Sequence, residues 1–146
     1  MKFLSNSEKQ TFNFAKNLAK KLKGGEVLCL IGDLGSGKTA FTKGLANGLG
    51  VKNIITSPTF VLMKNYKISK GKIKYFNHID AYRLENGKQL LGIGADDYFT
   101  DKECITVIEW ADRVKDIWPK NIIRINFKII ENNKNQREIN IKKLRN

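Results

Sequence analysis

Apolar residues along the chain change their spacing several times, and each spacing predicts an element. Over 5–23, Phe12, Ala15, Leu18, Ala19 and Leu22 recur on one helical face. Ser7 or Asn6 can cap that helix, and Gly24-Gly25 stops it. Within 26–31, Val27-Leu28-Cys29-Leu30-Ile31 is unbroken, as a strand buried on both faces requires. A glycine-rich turn leads into a second helix over 39–49, closed by Gly48 and Gly50, and 54–58 reads as a loop. Two strand-like runs, 60–68 and 72–79, flank Ser69-Lys70-Gly71 and predict a hairpin. A short helix over 85–91, a buried strand over 104–108 and a helical turn over 111–116 follow. The runs 122–130 and 138–144 surround an Asn-rich turn and predict an antiparallel pair. Early alternation of helix and strand, with hairpins later, predicts one α/β domain over 1–146. Its form is a three-layer sandwich with a central parallel sheet flanked by antiparallel strands.

Composition narrows the class. With 146 residues, 41% hydrophobic and 28% charged, the chain can bury a core, which excludes disorder throughout. No apolar run approaches the roughly 20 residues that span a bilayer. The start, Met1-Lys2-Phe3-Leu4-Ser5-Asn6-Ser7-Glu8, turns polar too early for a signal peptide, so a cytoplasmic protein is expected. Cys29 and Cys104 lie in apolar runs and read as free, reduced thiols; with one histidine, His78, and no Cys-x-x-Cys, no structural zinc site is expected. The net charge of +13 attracts polyanions such as RNA, although the lysines are scattered and a biased composition produces the same number.

The strongest chemical signal is Gly32-Asp33-Leu34-Gly35-Ser36-Gly37-Lys38-Thr39, which satisfies G-x-x-x-x-G-K-[ST] between a buried strand and a helix. Glycines let the backbone turn its N–H groups inward, and the helix start adds a positive dipole end. Lys38 supplies a point charge for the β- and γ-phosphates, and the Thr39 hydroxyl can join a magnesium shell. Such a loop needs a carboxylate near the metal and a group that orients the nucleophile. Glu109 and Asp80 each close a buried strand, and spacing alone does not divide the two roles between them. Asp33 shapes the loop, and Asp96, Asp97 and Asp101 read as turn or cap residues. His78 shares a strand face with Asp80 and is either a site residue or a satisfied structural histidine. Arg83 is either an internal arginine finger or a carboxylate brace, and Trp110 either a core ring or a partner contact. Thr56-Ser57-Pro58-Thr59 can sense a γ-phosphate or simply cap a turn.

The phosphate loop, then Ser57-Pro58-Thr59-Phe60, then His78-Ile79-Asp80-Ala81-Tyr82-Arg83-Leu84, then Glu109-Trp110 occur in that order. On these four blocks the chain closely resembles the bacterial TsaE (YjeE) family of small ATPases, from Ser7 to about Ile141. The resemblance implies a P-loop NTPase-type fold and ATP with Mg2+ as cofactors. It implies phosphate binding by Lys38 and the backbone of Gly35, Ser36, Gly37, Thr39 and Ala40, and a metal held by Thr39 and Glu109. Asp80 matches the acid assigned to hydrolysis and Thr59 a switch-like threonine, so Lys38, Asp80 and Thr59 form the catalytic set. Glu8, Thr11 and Arg137 match positions near the nucleotide. Ala40 replaces a frequent second threonine, and Ala15 a frequent glycine. The resemblance further implies slow hydrolysis alone and work with a TsaD–TsaB pair, which transfers threonylcarbamoyl to adenosine in tRNA. Contact with tRNA is then indirect or through the basic surface, and no membrane is involved. Two other readings are a small-molecule kinase, which needs a lid and an acceptor pocket, and a nucleic-acid module with a degenerate nucleotide site.

Overall fold

In the computed structural model, residues 1–58, 61–69 and 71–145 are described, Arg145 by its backbone alone. The chain runs β1 (Lys2–Ser5), α1 (Glu8–Ala19), β2 (Val27–Ile31), α2 (Lys38–Leu49), β3 (Met63–Lys67), β4 (Tyr75–Asp80) and α3 (Lys88–Gly92). A 3₁₀ segment Ala95–Tyr98, β5 (Cys104–Glu109), a second 3₁₀ segment Ala111–Ile117, β6 (Asn121–Ile130) and β7 (Asn133–Arg145) complete it. Among the described residues a seven-stranded sheet takes the order β1-β7-β6-β2-β5-β4-β3. Its centre, β6-β2-β5-β4, is parallel; β3 lies antiparallel on β4, β7 on β6, and β1 on β7. A parallel centre with antiparallel flanks is what the apolar pattern predicts.

The unbroken apolar run of β2 is explained by cover on both sides. Leu28 and Leu30 pack into a core with Ala15 and Ala19 of α1 and Phe41 and Leu45 of α2. Val27 and Cys29 face the other way, into a core with Leu90, Ala95, Phe99, Ala111 and Val114. Burial holds the Cys29 thiol up at about 12 and the Cys104 thiol up at about 11, so both stay protonated and inert. On the α1/α2 side the helices touch backbone to side: a Cβ at Gly44 would strike the Phe12 carbonyl, and one at Gly48 the Lys16 carbonyl. That close approach sets α1 directly behind the start of α2.

Strand β1 and helix α1 are among the elements that differ from the expectation, and β7 begins at Asn133, within the expected Asn-rich turn. Residues 2–5 form β1, where the pattern gives only a polar start. The strand exists because β7 offers an unpaired edge, with Phe3↔Ile139 and Ser5↔Arg137 in register, and because Phe3 stacks on Phe14 at 4.2 Å. Helix α1 begins at Glu8, with the Ser7 hydroxyl accepting from the Gln10 N–H, and ends at Ala19 rather than at the Gly24-Gly25 pair. Its last turn tightens into i→i+3 bonds from Lys20, Lys21 and Leu22. In the predicted hairpin, Phe60 and Lys70 lie outside the described residues, and the pairing runs from Met63↔Ile79 to Lys67↔Tyr75. No helix among the described residues is long and apolar enough to cross a membrane.

Candidate functional site

Strand β2 delivers the chain into the glycine loop, and α2 takes it up at Lys38. Gly35 (φ 76°) and Gly37 (φ 103°) sit in the left-handed region that disfavours any residue with a Cβ. The loop closes around its own cation. Lys38 is 5% exposed, and its Nζ donates to the Gly32 carbonyl at 2.5 Å, the Asp33 carbonyl at 2.8 Å and the Ser36 hydroxyl at 3.4 Å. These contacts use all three ammonium protons. The Trp110 ring covers the same nitrogen, 4.1 Å from its centroid. Burial pushes the Lys38 ammonium below its usual 10.5, opposed by Glu109, then Asp33, Asp112 and Asp80. Thr39 follows, exposed, at the first turn of α2.

The two candidate acids arrive on the strands beside β2, with β5 paired to β2 and β4 to β5. Parallel pairing of β4 with β5 puts Asp80 opposite Glu109, at the carboxyl ends of both strands. Glu109 is 3% exposed, and its Oε1 accepts from the Thr42 hydroxyl at 2.9 Å and from His78 Nε2 at 3.1 Å. Among the described residues its Oε2 has no partner and is not sealed from solvent, whereas His78 Nδ1 is both buried and unpartnered. Asp80 is half-buried; Oδ2 accepts from the Ser57 hydroxyl and Oδ1 from the Tyr82 N–H, each at 3.0 Å. A cleft of about 360 Å³ brings these groups together, lined by Glu8, residues 34–40, Ser57, Asp80, Tyr82, Glu109 and Trp110.

The remaining predicted residues take distinct places. Arg137 on β7 lies against the loop: Nη2 donates to the Gly35 carbonyl at 2.8 Å and Nη1 to the Asn135 carbonyl at 3.2 Å. Thr11 is fully buried, its hydroxyl 2.8 Å from that of Ser5, and it backs Gly37 rather than lining the cleft. Arg83 lines a neighbouring cleft. Thr59 lies outside the described residues. His78 turns to Glu109 instead of the cleft. Sequence reasoning missed Thr42, although it stands four residues after Lys38 on the same helix face. It also missed the wall formed by Tyr82 and Trp110, whose ring centroids are 4.9 Å apart, with the Arg113 guanidinium 5.5 Å from the first and 5.6 Å from the second. Trp110 itself has φ 57° and ψ 39°, a left-handed conformation that costs a non-glycine residue about 1–2 kcal/mol.

Among the described residues no three His, Cys, Asp or Glu side chains cluster tightly enough to cage a metal. The oxygens present, from Thr39, Glu109 and Asp80, are hard donors, and Glu109 Oε2 is open. That donor set suits magnesium, which keeps one or two carboxylates and completes its shell with phosphate and water.

A family model described as threonylcarbamoyl adenosine biosynthesis protein TsaE matches residues 5–139. The tRNA threonylcarbamoyladenosine biosynthesis protein TsaE of Aquifex aeolicus is 42% identical over 130 residues, covering 88% of this chain and 86% of that protein. Its namesake from Bacillus subtilis is 38% identical over 128 residues, covering 88% and 77%. The crystal structure of Bacillus subtilis YdiB superposes with a TM-score of 0.77 at 33% identity, covering all of this chain and 86% of that one.

Proposed function

Because the chain belongs to the TsaE family, which serves tRNA threonylcarbamoyladenosine biosynthesis, we propose that it is a slow, magnesium-dependent ATPase in the cytoplasm, working with a TsaD–TsaB-type complex. The observation that carries this reading is the convergence on one cleft of the glycine loop with Lys38 and, from two other strands, Asp80 and Glu109. The α2 N-terminus and loop amides receive the phosphates. Lys38, which donates to the Gly32 and Asp33 carbonyls, exchanges one of them for a phosphate oxygen. Thr39 and Glu109 would hold a magnesium ion, which would offset the negative charge of the phosphates. Asp80, on the wetter wall, orients the attacking water and takes its proton. Glu8 flanks the nucleotide, while Arg137 braces Gly35 and Thr11 supports the loop from outside the cleft lining. Thr59 serves as the switch residue.

Slow turnover follows from where the arginines are. Among the described residues none lines the cleft: Arg137 holds the Gly35 carbonyl, Arg113 lies over aromatic rings, and Arg83 faces the adjoining cleft. An arginine supplied by a partner is worth about 10³–10⁵ in rate. Contact with tRNA falls to the basic surface, for example the Arg124–Lys142 cross-strand pair on β6 and β7.

One observation favours the kinase reading as the alternative. A second cleft of about 470 Å³, with Pro58, Leu62, Arg83 and Gln89, shares Asp80 and Tyr82 with the first and offers room for an acceptor. Phosphate release from ATP, measured for the chain and for Lys38→Ala with and without a TsaD–TsaB pair and tRNA, separates the two. The ATPase reading expects Lys38-dependent release that the pair accelerates. Equal release in every arm overturns it, and labelled phosphate appearing on an added metabolite favours the kinase.

A further inference from the structure

Glu109 reaches the cleft with one oxygen already spoken for. Its Oε1 receives Thr42 from α2 and His78 from β4, both fully buried, while Oε2 is open. Neither donor lines the cleft. We propose that His78 and Thr42 are positioning residues: they pin one carboxylate oxygen so that the other is presented to the divalent cation. The proposal rests on the reading of Glu109 as the metal-seating acid.

The two donors are not equivalent. The Thr42 hydroxyl has one proton and two acceptors at 2.9 Å, Glu109 Oε1 and the Lys38 carbonyl. It can leave the carboxylate and remain satisfied. The Nε2–H of His78 has Glu109 as its partner, and the ring is enclosed on all sides. His78 therefore sets the carboxylate's rotation, and Thr42 trims it. Both also carry the constraint across elements. Thr42 ties Glu109 to the backbone of the phosphate-binding lysine, and His78 stands two residues before Asp80 on the same strand face. The three elements that supply Lys38, Asp80 and Glu109 thus meet at one carboxylate oxygen.

The test titrates Mn2+, in the presence of a non-hydrolysable ATP analogue, into the full chain and follows free Mn2+ by electron paramagnetic resonance. Removing a hydrogen-bond partner of a metal ligand costs about 10- to 100-fold in metal affinity. His78→Leu is expected to weaken Mn2+ binding by that amount, and His78→Gln, whose amide nitrogen approximates Nε2, to recover most of it. Thr42→Val is expected to weaken binding less, and Thr42→Ser not at all. In a Glu109→Gln background His78→Leu should add nothing further. A folded His78→Leu protein, judged by circular dichroism, with unaltered Mn2+ affinity overturns the positioning role. If that variant does not fold, equal Mn2+ affinity in Thr42→Val and the parent chain, or no advantage of Thr42→Ser over Thr42→Val, overturns it. A parent chain that binds Mn2+ no better than Glu109→Gln overturns the metal assignment itself and the positioning role with it.

Discussion

Asp80 and Glu109 are neighbours in register at the ends of adjacent parallel strands, and both line the same cleft, yet they sit in different surroundings. Glu109 is almost wholly buried, its Oε1 held by a core hydroxyl and a core imidazole. Asp80 is half-open to solvent and leans on an exposed serine and on the backbone two residues ahead. A side chain fixed by enclosed donors suits a task that needs one constant geometry, such as seating an ion. A carboxylate that keeps access to water suits one that must handle water and a proton. Environment thus separates two acids that sequence spacing leaves interchangeable.

Four measurements break or sharpen that contrast. The largest effect belongs to Asp80→Asn, expected to slow single-turnover hydrolysis by about 10²–10⁴-fold, the usual worth of a general base, while Mn2+ affinity and stability to urea stay near the parent values. Loss of metal affinity equal to that of Glu109→Gln would erase the distinction. Glu109→Gln has the reverse profile: weaker metal binding and, because two buried donors lose a charged acceptor, a loss of about 1–3 kcal/mol in urea unfolding.

The third measurement uses Lys38 as a reporter on both acids. Burial lowers its pKa below 10.5, so the folded chain releases that proton before the unfolded chain does. Between the lowered value and 10.5 the unfolded state binds more protons, and stability rises with pH. The parent chain should therefore gain stability over that window relative to Lys38→Met. Glu109 is the strongest charge opposing the shift and Asp80 the weakest of those acting. Glu109→Gln should extend the window to lower pH visibly, and Asp80→Asn barely. The smallest effect is that of Ser57→Ala, which removes one hydrogen bond to Asp80 and should change turnover by about two- to twelvefold, the range for a single bond of ordinary strength, without altering metal affinity.

Much of the molecule is legible in its sequence because the controlling interactions are local. The buried run of β2, the glycine loop and the start of α2 are consecutive, and each residue's conformational or charge preference points the same way. Helix α1 is visible by its period, but not its end, since the last turn tightens before the glycines. Strand β1 leaves no local mark; it is ordered by an edge that comes from residues more than 130 positions away. In the site, the contacts of Thr42 and His78 with Glu109 escape notice for the same reason: their partner lies 67 and 31 residues further on.

The amino-acid sequence by itself therefore determines the glycine loop, the parallel sheet with antiparallel flanks and the two carboxylates that close adjacent strands. Hydrophobic period, glycine freedom and strand-end position are all properties of contiguous residues. Only the tertiary structure decides which acid is enclosed and which is wet, that Lys38 rests on its own loop beneath Trp110, and that Arg137 braces the glycines from another strand. Burial and hydrogen-bond partnership depend on what packs against a side chain, and here Glu109, Trp110 and Arg137 meet neighbours from a different element.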